Sequence, residues 1–129
     1  MSFDFMDRFH VGQSDARTRS FTAEEVAEHE ALTGDVAPSA GTVPVGMLGG
    51  MVSELLGTRL PGRGTNWLKQ KLVYSGVARV GEPVTTRLEI VRLRPDKALV
   101  NLESTCTDAR GAVICRGESL VLVRELELR

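Results

Sequence analysis

The chain predicts an α+β protein built on an antiparallel sheet, and three observations carry that prediction. A capped amphipathic helix comes first, a glycine-rich apolar helix follows, and four strand-length segments with period-two alternation and turn signals between them fill the rest. Residues 13–21 read as an extended segment leading into the first helix. Thr22-Ala23-Glu24-Glu25 then forms a capping box, in which the Thr22 hydroxyl accepts from the backbone of Glu25 while the Glu25 side chain reaches back. That helix carries Val26, Ala27, Ala31 and Leu32 and is expected to stop at Gly34, which delivers Asp35 just beyond a helix end.

The second helix is expected from Pro44, whose missing N–H is no loss in a first turn, to about Leu56, ahead of Gly57. Val45, Met47, Leu48, Met51, Val52, Leu55 and Leu56 spread around most of its circumference, which predicts a helix buried all round. Gly46, Gly49 and Gly50 each lower its helix propensity by about 1 kcal/mol relative to Ala, so close approach to a sheet or a ligand must stabilise it. The strands are read as residues 66–78, 82–94, 98–107 and 112–125. Alternation is clear in Ala98, Val100, Leu102, Ser104, Cys106 and in Val113, Cys115, Gly117, Ser119, Val121, Val123, giving the sheet one small, apolar face.

With 129 residues the chain is expected to be one domain, residues 1–129, close to the size at which much apolar surface stays exposed and a partner copy is needed. A formal charge of −1 offers no footprint for nucleic acid, and no basic run suits an anionic membrane surface. No segment approaches the roughly 20 apolar residues of a membrane span. The N-terminus mixes Asp4, Asp7 and Arg8 with phenylalanines and lacks the order of a signal peptide. If Thr107 pairs with Ala112, Cys106 faces Val113 and Cys115 becomes a diagonal neighbour about 7–8 Å away, too far for a disulfide. Two reduced thiols in a cytoplasmic protein are the expectation.

The stretch Gly34-Asp35-Val36-Ala37-Pro38-Ser39-Ala40, followed by Val45-Gly46-Met47-Leu48, resembles the active-site entry of the MaoC-like, (R)-specific enoyl-CoA hydratases. Their pattern is Asp-x-Asn-Pro-x-His and then His-Gly-Met-Leu; Asp35, Pro38, Gly46, Met47 and Leu48 match it. The family's Asn falls on Ala37, its catalytic His on Ala40 and its second His on Val45. The resemblance implies a hotdog fold over residues 11–123, a curved sheet wrapped around a central helix. It also implies a homodimer, a thioester of coenzyme A or of an acyl carrier as ligand, and hydratase/dehydratase chemistry weakened by loss of the histidine. In the family an Asp and a His share the proton work while a backbone N–H at the helix start serves the thioester carbonyl; by position these roles fall to Asp35 and Gly46. Tyr74, Val45, Met47 and Met51 fall along the expected acyl site, with Trp67 as a further border residue.

Each residue has a plainer reading beside the functional one. Asp35 between a helix-terminal glycine and a proline is an ordinary turn residue, and Gly46 can serve helix–sheet packing alone. Ser39 and Thr42 can hydrogen-bond a ligand or their own loop. Tyr74 and the methionines are core residues in most domains. Only His10 and His29 are present, and neither lies in the ten residues between Asp35 and Gly46, a loop shorter than the family's. His29, near the Val26 and Leu32 flank of its helix, reads as a surface or edge histidine. Glu54 on the second helix is where other hotdog enzymes hold a carboxylate, so a thioesterase using Asp35 or Glu54 is the second reading, against a plain pairing of Glu54 with Arg59. A non-catalytic acyl-CoA-binding or partner subunit is the third. No dinucleotide-type glycine loop, no metal-spaced Cys/His set and no defensible Ser-His-Asp set is present, so neither metal nor redox cofactor is expected.

Overall fold

A computed structural model describes residues 5–126. Its elements in chain order are helix α1 (Phe5–Arg8), strand β1 (Ser14–Arg19), helices α2 (Ala23–Thr33) and α3 (Val45–Thr58), and strands β2 (Asn66–Tyr74), β3 (Val84–Arg94), β4 (Leu99–Thr107) and β5 (Val113–Leu122). The strands form one antiparallel sheet in the order β1-β3-β4-β5-β2. This curved sheet around α3 is the hotdog arrangement. The strands expected at residues 66–78 and 112–125 are shorter than read, because Ser75 and Gly76 turn away and donate to the Ile114 carbonyl.

Alternation decides which face is buried. Val84, Thr86, Leu88 and Ile90 of β3, Val100, Leu102, Ser104 and Cys106 of β4, and Cys115, Ser119 and Val121 of β5 all lie inside. Leu48, Met51, Val52, Leu55 and Leu56 of α3 complete the core. At about 25 cal/mol per Å² of apolar surface removed from water, each such side chain contributes about 1.5–3 kcal/mol. α3 is not buried all round, however. Gly46, Gly50 and Glu54, at i, i+4 and i+8, form an exposed stripe. Two glycines and a carboxylate have the least apolar surface to hide.

Two further features depart from the sequence reading. The short α1 brings Phe5 and Phe9 together edge to face, ring centroids 5.2 Å apart, both buried. In the β4–β5 hairpin Thr107 pairs with Val113, not Ala112, and a register shift then sets Cys106 directly opposite Cys115. The cause lies in the turn. Asp108 Oδ1 accepts from the N–H groups of Arg110 and Ala112, and the Asp108 N–H donates to the Ala112 carbonyl, which moves the closing pair by one residue. Both cysteines are free and fully buried.

Among the described residues no helix is long and apolar enough to cross a membrane, and no three His, Cys, Asp or Glu side chains cluster as metal ligands.

Candidate active site

The site grows from the end of α2 and the start of α3. The capping box forms as its sequence requires, with the Glu25 N–H donating to Thr22 Oγ1 (3.0 Å) and the Thr22 N–H to Glu25 Oε1 (3.1 Å). These bonds, the Thr22 backbone first, hold the Glu25 carboxyl below its usual range. At the other end Gly34 adopts φ 73°, a left-handed value open to glycine, and its N–H donates to the Glu30 carbonyl. The chain therefore reverses at once, and Asp35 folds back along the helix that precedes it.

That reversal places Asp35 Oδ2 2.7 Å from His29 Nε2. The same oxygen accepts the Gly46 N–H at 3.0 Å, in the first turn of α3 where amide groups lack helical partners. The Asp35 N–H donates to Thr33 Oγ1, whose hydroxyl donates to the His29 carbonyl, so the backbone of the pair is tied as well. A Cβ on residue 46 would collide with Asp35 Oδ2 and stand 3.4 Å from His29 Nε2, so glycine is needed for the approach. The His29 and Asp35 side chains keep 21% and 32% of their surface, enough for a ligand to reach them.

Tyr74 completes the cluster from the edge strand. Its Oη lies 3.1 Å from where a Cβ on Gly49 would sit, one helical turn beyond Gly46. Burial, followed by the neighbouring Cys115–Cys106 pair and Asp35, raises the phenol above the ordinary tyrosine value, so it remains a neutral donor. Cys115 faces Tyr74 across β2 and β5, and the hydrogen bond between the two thiols brings Cys106 down to about 7 while it pushes Cys115 up.

The remaining candidates divide. Val45 and Met47 sit half-buried in the first turn of α3, beside Asp35 and Gly46. Met51 is buried in the core, its Sδ 3.7 Å from the Thr86 hydroxyl. Thr42 Oγ1 donates to the Ser39 carbonyl (2.7 Å) and accepts the Ser39 N–H (3.1 Å), so these two residues brace their own loop. Antiparallel bonds from Val43 to Ala78 and from Val80 to Gly41 fasten that loop to the chain after β2. Ala40 is exposed on it. Glu54 lies about 12 Å along the axis from Gly46, at 1.5 Å per residue, and pairs with Arg17 of β1. Arg59 pairs with Asp15 instead of Glu54.

His29 is the residue that the sequence reading set aside. Its signal was the buried Val26 three positions earlier, which puts His29 on the inward flank of α2, together with the Gly34 reversal six residues before Ala40.

No family model matches the chain. An (R)-specific enoyl-CoA hydratase of Aeromonas caviae is 35% identical over 124 residues, which cover 86% of this chain and 92% of that protein. The chain belongs to the (R)-specific enoyl-CoA hydratase family. The Rhodospirillum rubrum enzyme of the same name is 42% identical over 79 residues, a stretch covering 60% of this chain but only 54% of that hydratase. In three dimensions the (R)-hydratase of A. caviae involved in PHA biosynthesis superposes with a TM-score of 0.82 at 31% identity, covering 88% of this chain and 96% of that one. In the present chain the imidazole beside Asp35 is that of His29, carried from the preceding helix.

Proposed function

We propose that the chain adds water to a trans-2-enoyl-CoA and, in reverse, removes it from the 3-hydroxyacyl-CoA, with Asp35 and His29 as the acid–base pair. The observation carrying this reading is the 2.7 Å contact between His29 Nε2 and Asp35 Oδ2, beside an exposed glycine at a helix N-terminus. As the water oxygen bonds to C3, the pair takes one water proton, and the electrons of the C2=C3 bond move toward the thioester carbonyl. The pair then returns a proton to C2, and the hydrogen bond between its members resets it. Every proton removed is replaced, so no cofactor enters the balance.

Purified protein is expected to consume crotonyl-CoA without releasing free thiol. Release of free CoA would mark a thioesterase, and saturable binding with neither reaction would mark a binding subunit. His29→Gln keeps a hydrogen-bonding side chain but cannot shuttle a proton, so hydration should fall by about 10²–10⁴ with the melting temperature unchanged. An unchanged rate would remove His29 from the mechanism.

The working unit in this reading is a homodimer. β2 ends the sheet with one edge unpaired, and Trp67, Leu68 and Val73 on it are exposed at 43%, 52% and 56%. A two-fold copy pairing edge to edge would bury them. Sedimentation should give twice the chain mass at micromolar concentration; a monomer there would refute the pairing.

A further inference from the structure

Hydration of an enoyl thioester builds negative charge on the carbonyl oxygen, and a donor aimed there is usually the largest single catalytic contribution. By family resemblance that donor is the Gly46 N–H. In this chain the Gly46 N–H instead donates to Asp35 Oδ2 at 3.0 Å. A second donor to the carbonyl is called for beside one already shared with Asp35, and the polar groups around the start of α3 offer one.

We propose that the Tyr74 hydroxyl donates to the thioester carbonyl in the transition state, a role that rests on the hydratase reading above. The Tyr74 hydroxyl makes no hydrogen bond among the described residues, unlike the Asp35 and His29 side chains and the Ser39 and Thr42 hydroxyls. Gly46 and Gly49 are three residues apart on one helix face, about 5–6 Å between Cβ positions. The acid–base pair stands over the first and the phenol over the second. A substrate lying along those two glycines, C3 toward Asp35 and the carbonyl toward Tyr74, meets both. Gly49 has a reason in this arrangement, since a Cβ there would stand 3.1 Å from the phenol oxygen and press on it. Burial first, and then the neighbouring Cys115–Cys106 thiol pair and the Asp35 carboxylate, disfavour ionisation of the phenol, which keeps the donor proton in place.

The step balances without a further reagent. As the water oxygen bonds to C3, the C2=C3 electron pair moves to form the enolate C1–O⁻; the phenol O–H holds that oxygen by a hydrogen bond and keeps its proton. The charge returns to C2 when the Asp35–His29 pair delivers a proton there, and the carbonyl re-forms.

Tyr74→Phe removes only the donor. For crotonyl-CoA hydration, kcat should fall by about 10²–10³ while KM and melting temperature stay near the parent values, the signature of a contact made chiefly in the transition state. A parent-like kcat would overturn the assignment while leaving the hydratase reading intact. A parent protein that does not hydrate crotonyl-CoA sinks both. Tyr74 is the only tyrosine in the chain, so biosynthetic 3-fluorotyrosine gives a single fluorine resonance and covers the case of a phenylalanine variant that fails to fold. Saturation with the unreactive butyryl-CoA should shift that resonance, whereas tight butyryl-CoA binding with no shift would place the carbonyl away from Tyr74.

Discussion

The two ends of α3 are built to opposite rules. At its start Gly46, Gly49 and Gly50 leave the backbone bare, and a carboxylate, an imidazole and a phenol gather over it. Over its last turns Leu55 and Leu56 are fully buried, and the one carboxylate, Glu54, is paired with Arg17 at the surface. The first end gives up intrinsic helix stability to let polar atoms approach, and the second supplies the packing that keeps the helix in place. The polar cluster and the packed end are thus separated by about two helical turns within one element.

The sharpest way to break that contrast is to neutralise each carboxylate in turn. Asp35→Asn should lower crotonyl-CoA hydration by about 10²-fold or more with little change in melting temperature. Glu54→Gln should leave the rate alone, since exposed ion pairs contribute only about 0–1 kcal/mol to stability. Equal losses of rate in the two variants would erase the distinction between the ends.

Methyl groups added to the glycines sharpen it within a single turn. A Cβ at residue 46 meets Asp35 Oδ2, so Gly46→Ala should displace the carboxylate and lower kcat at least about tenfold, the range expected when a reacting group moves by an ångström. Residue 50 faces open space, so Gly50→Ala should raise stability by about 0.5–1 kcal/mol and keep the activity. Steady-state kinetics beside thermal melts would separate these outcomes, and loss of activity in both variants would mean the stripe as a whole is ligand surface.

Smaller effects are expected away from the helix. Thiolate absorbance should show one group titrating near pH 7, Cys106, and Cys115→Ala should move that midpoint upward by removing the hydrogen-bond donor. An unmoved midpoint would dissociate the thiols. Thr22→Ala should cost about 1 kcal/mol through the lost cap, a few degrees of melting temperature in a domain of this size. Because the Glu25 carboxyl is depressed in the folded protein, the stability it contributes is present above its unfolded value of 4.5 and lost as pH falls through the folded one. The Thr22 backbone N–H that depresses Glu25 survives in Thr22→Ala, so both melting curves should fall with acid while most of the gap between them persists.

What could be read from the residues alone follows the range of the interactions. The capping box and the Gly34 stop are spelled within a few positions of one another, and both formed as written. The alternation of β4 and β5 located the buried face from Cys115 onward, because burial follows a period of two, but Val113 is exposed and Ile114 buried at the start of β5. The hairpin register was misjudged because one Asp108 carboxylate accepting two amide groups shifts it by a residue, and a shift of one exchanges neighbours. Glu54 could have met Arg59 just beyond the helix end, yet Arg17 reached it from β1. His29 was passed over because its value depends on where the chain goes after the helix, not on the helix. The exposed stripe of α3 was hidden by its glycines, which count as neither apolar nor polar in a periodicity.

The separations of the paired residues also order the assembly in time. His29 and Asp35 are six positions apart and Asp35 and Gly46 eleven, whereas Tyr74 joins from a strand whose partner is β5 near the C-terminus. Closing short loops costs little entropy and takes well under a microsecond, while β2 can dock only after the last strand has formed. A chain still being synthesised can therefore bring its carboxylate and imidazole together long before the sheet edge exists, and the phenol arrives with the final strand.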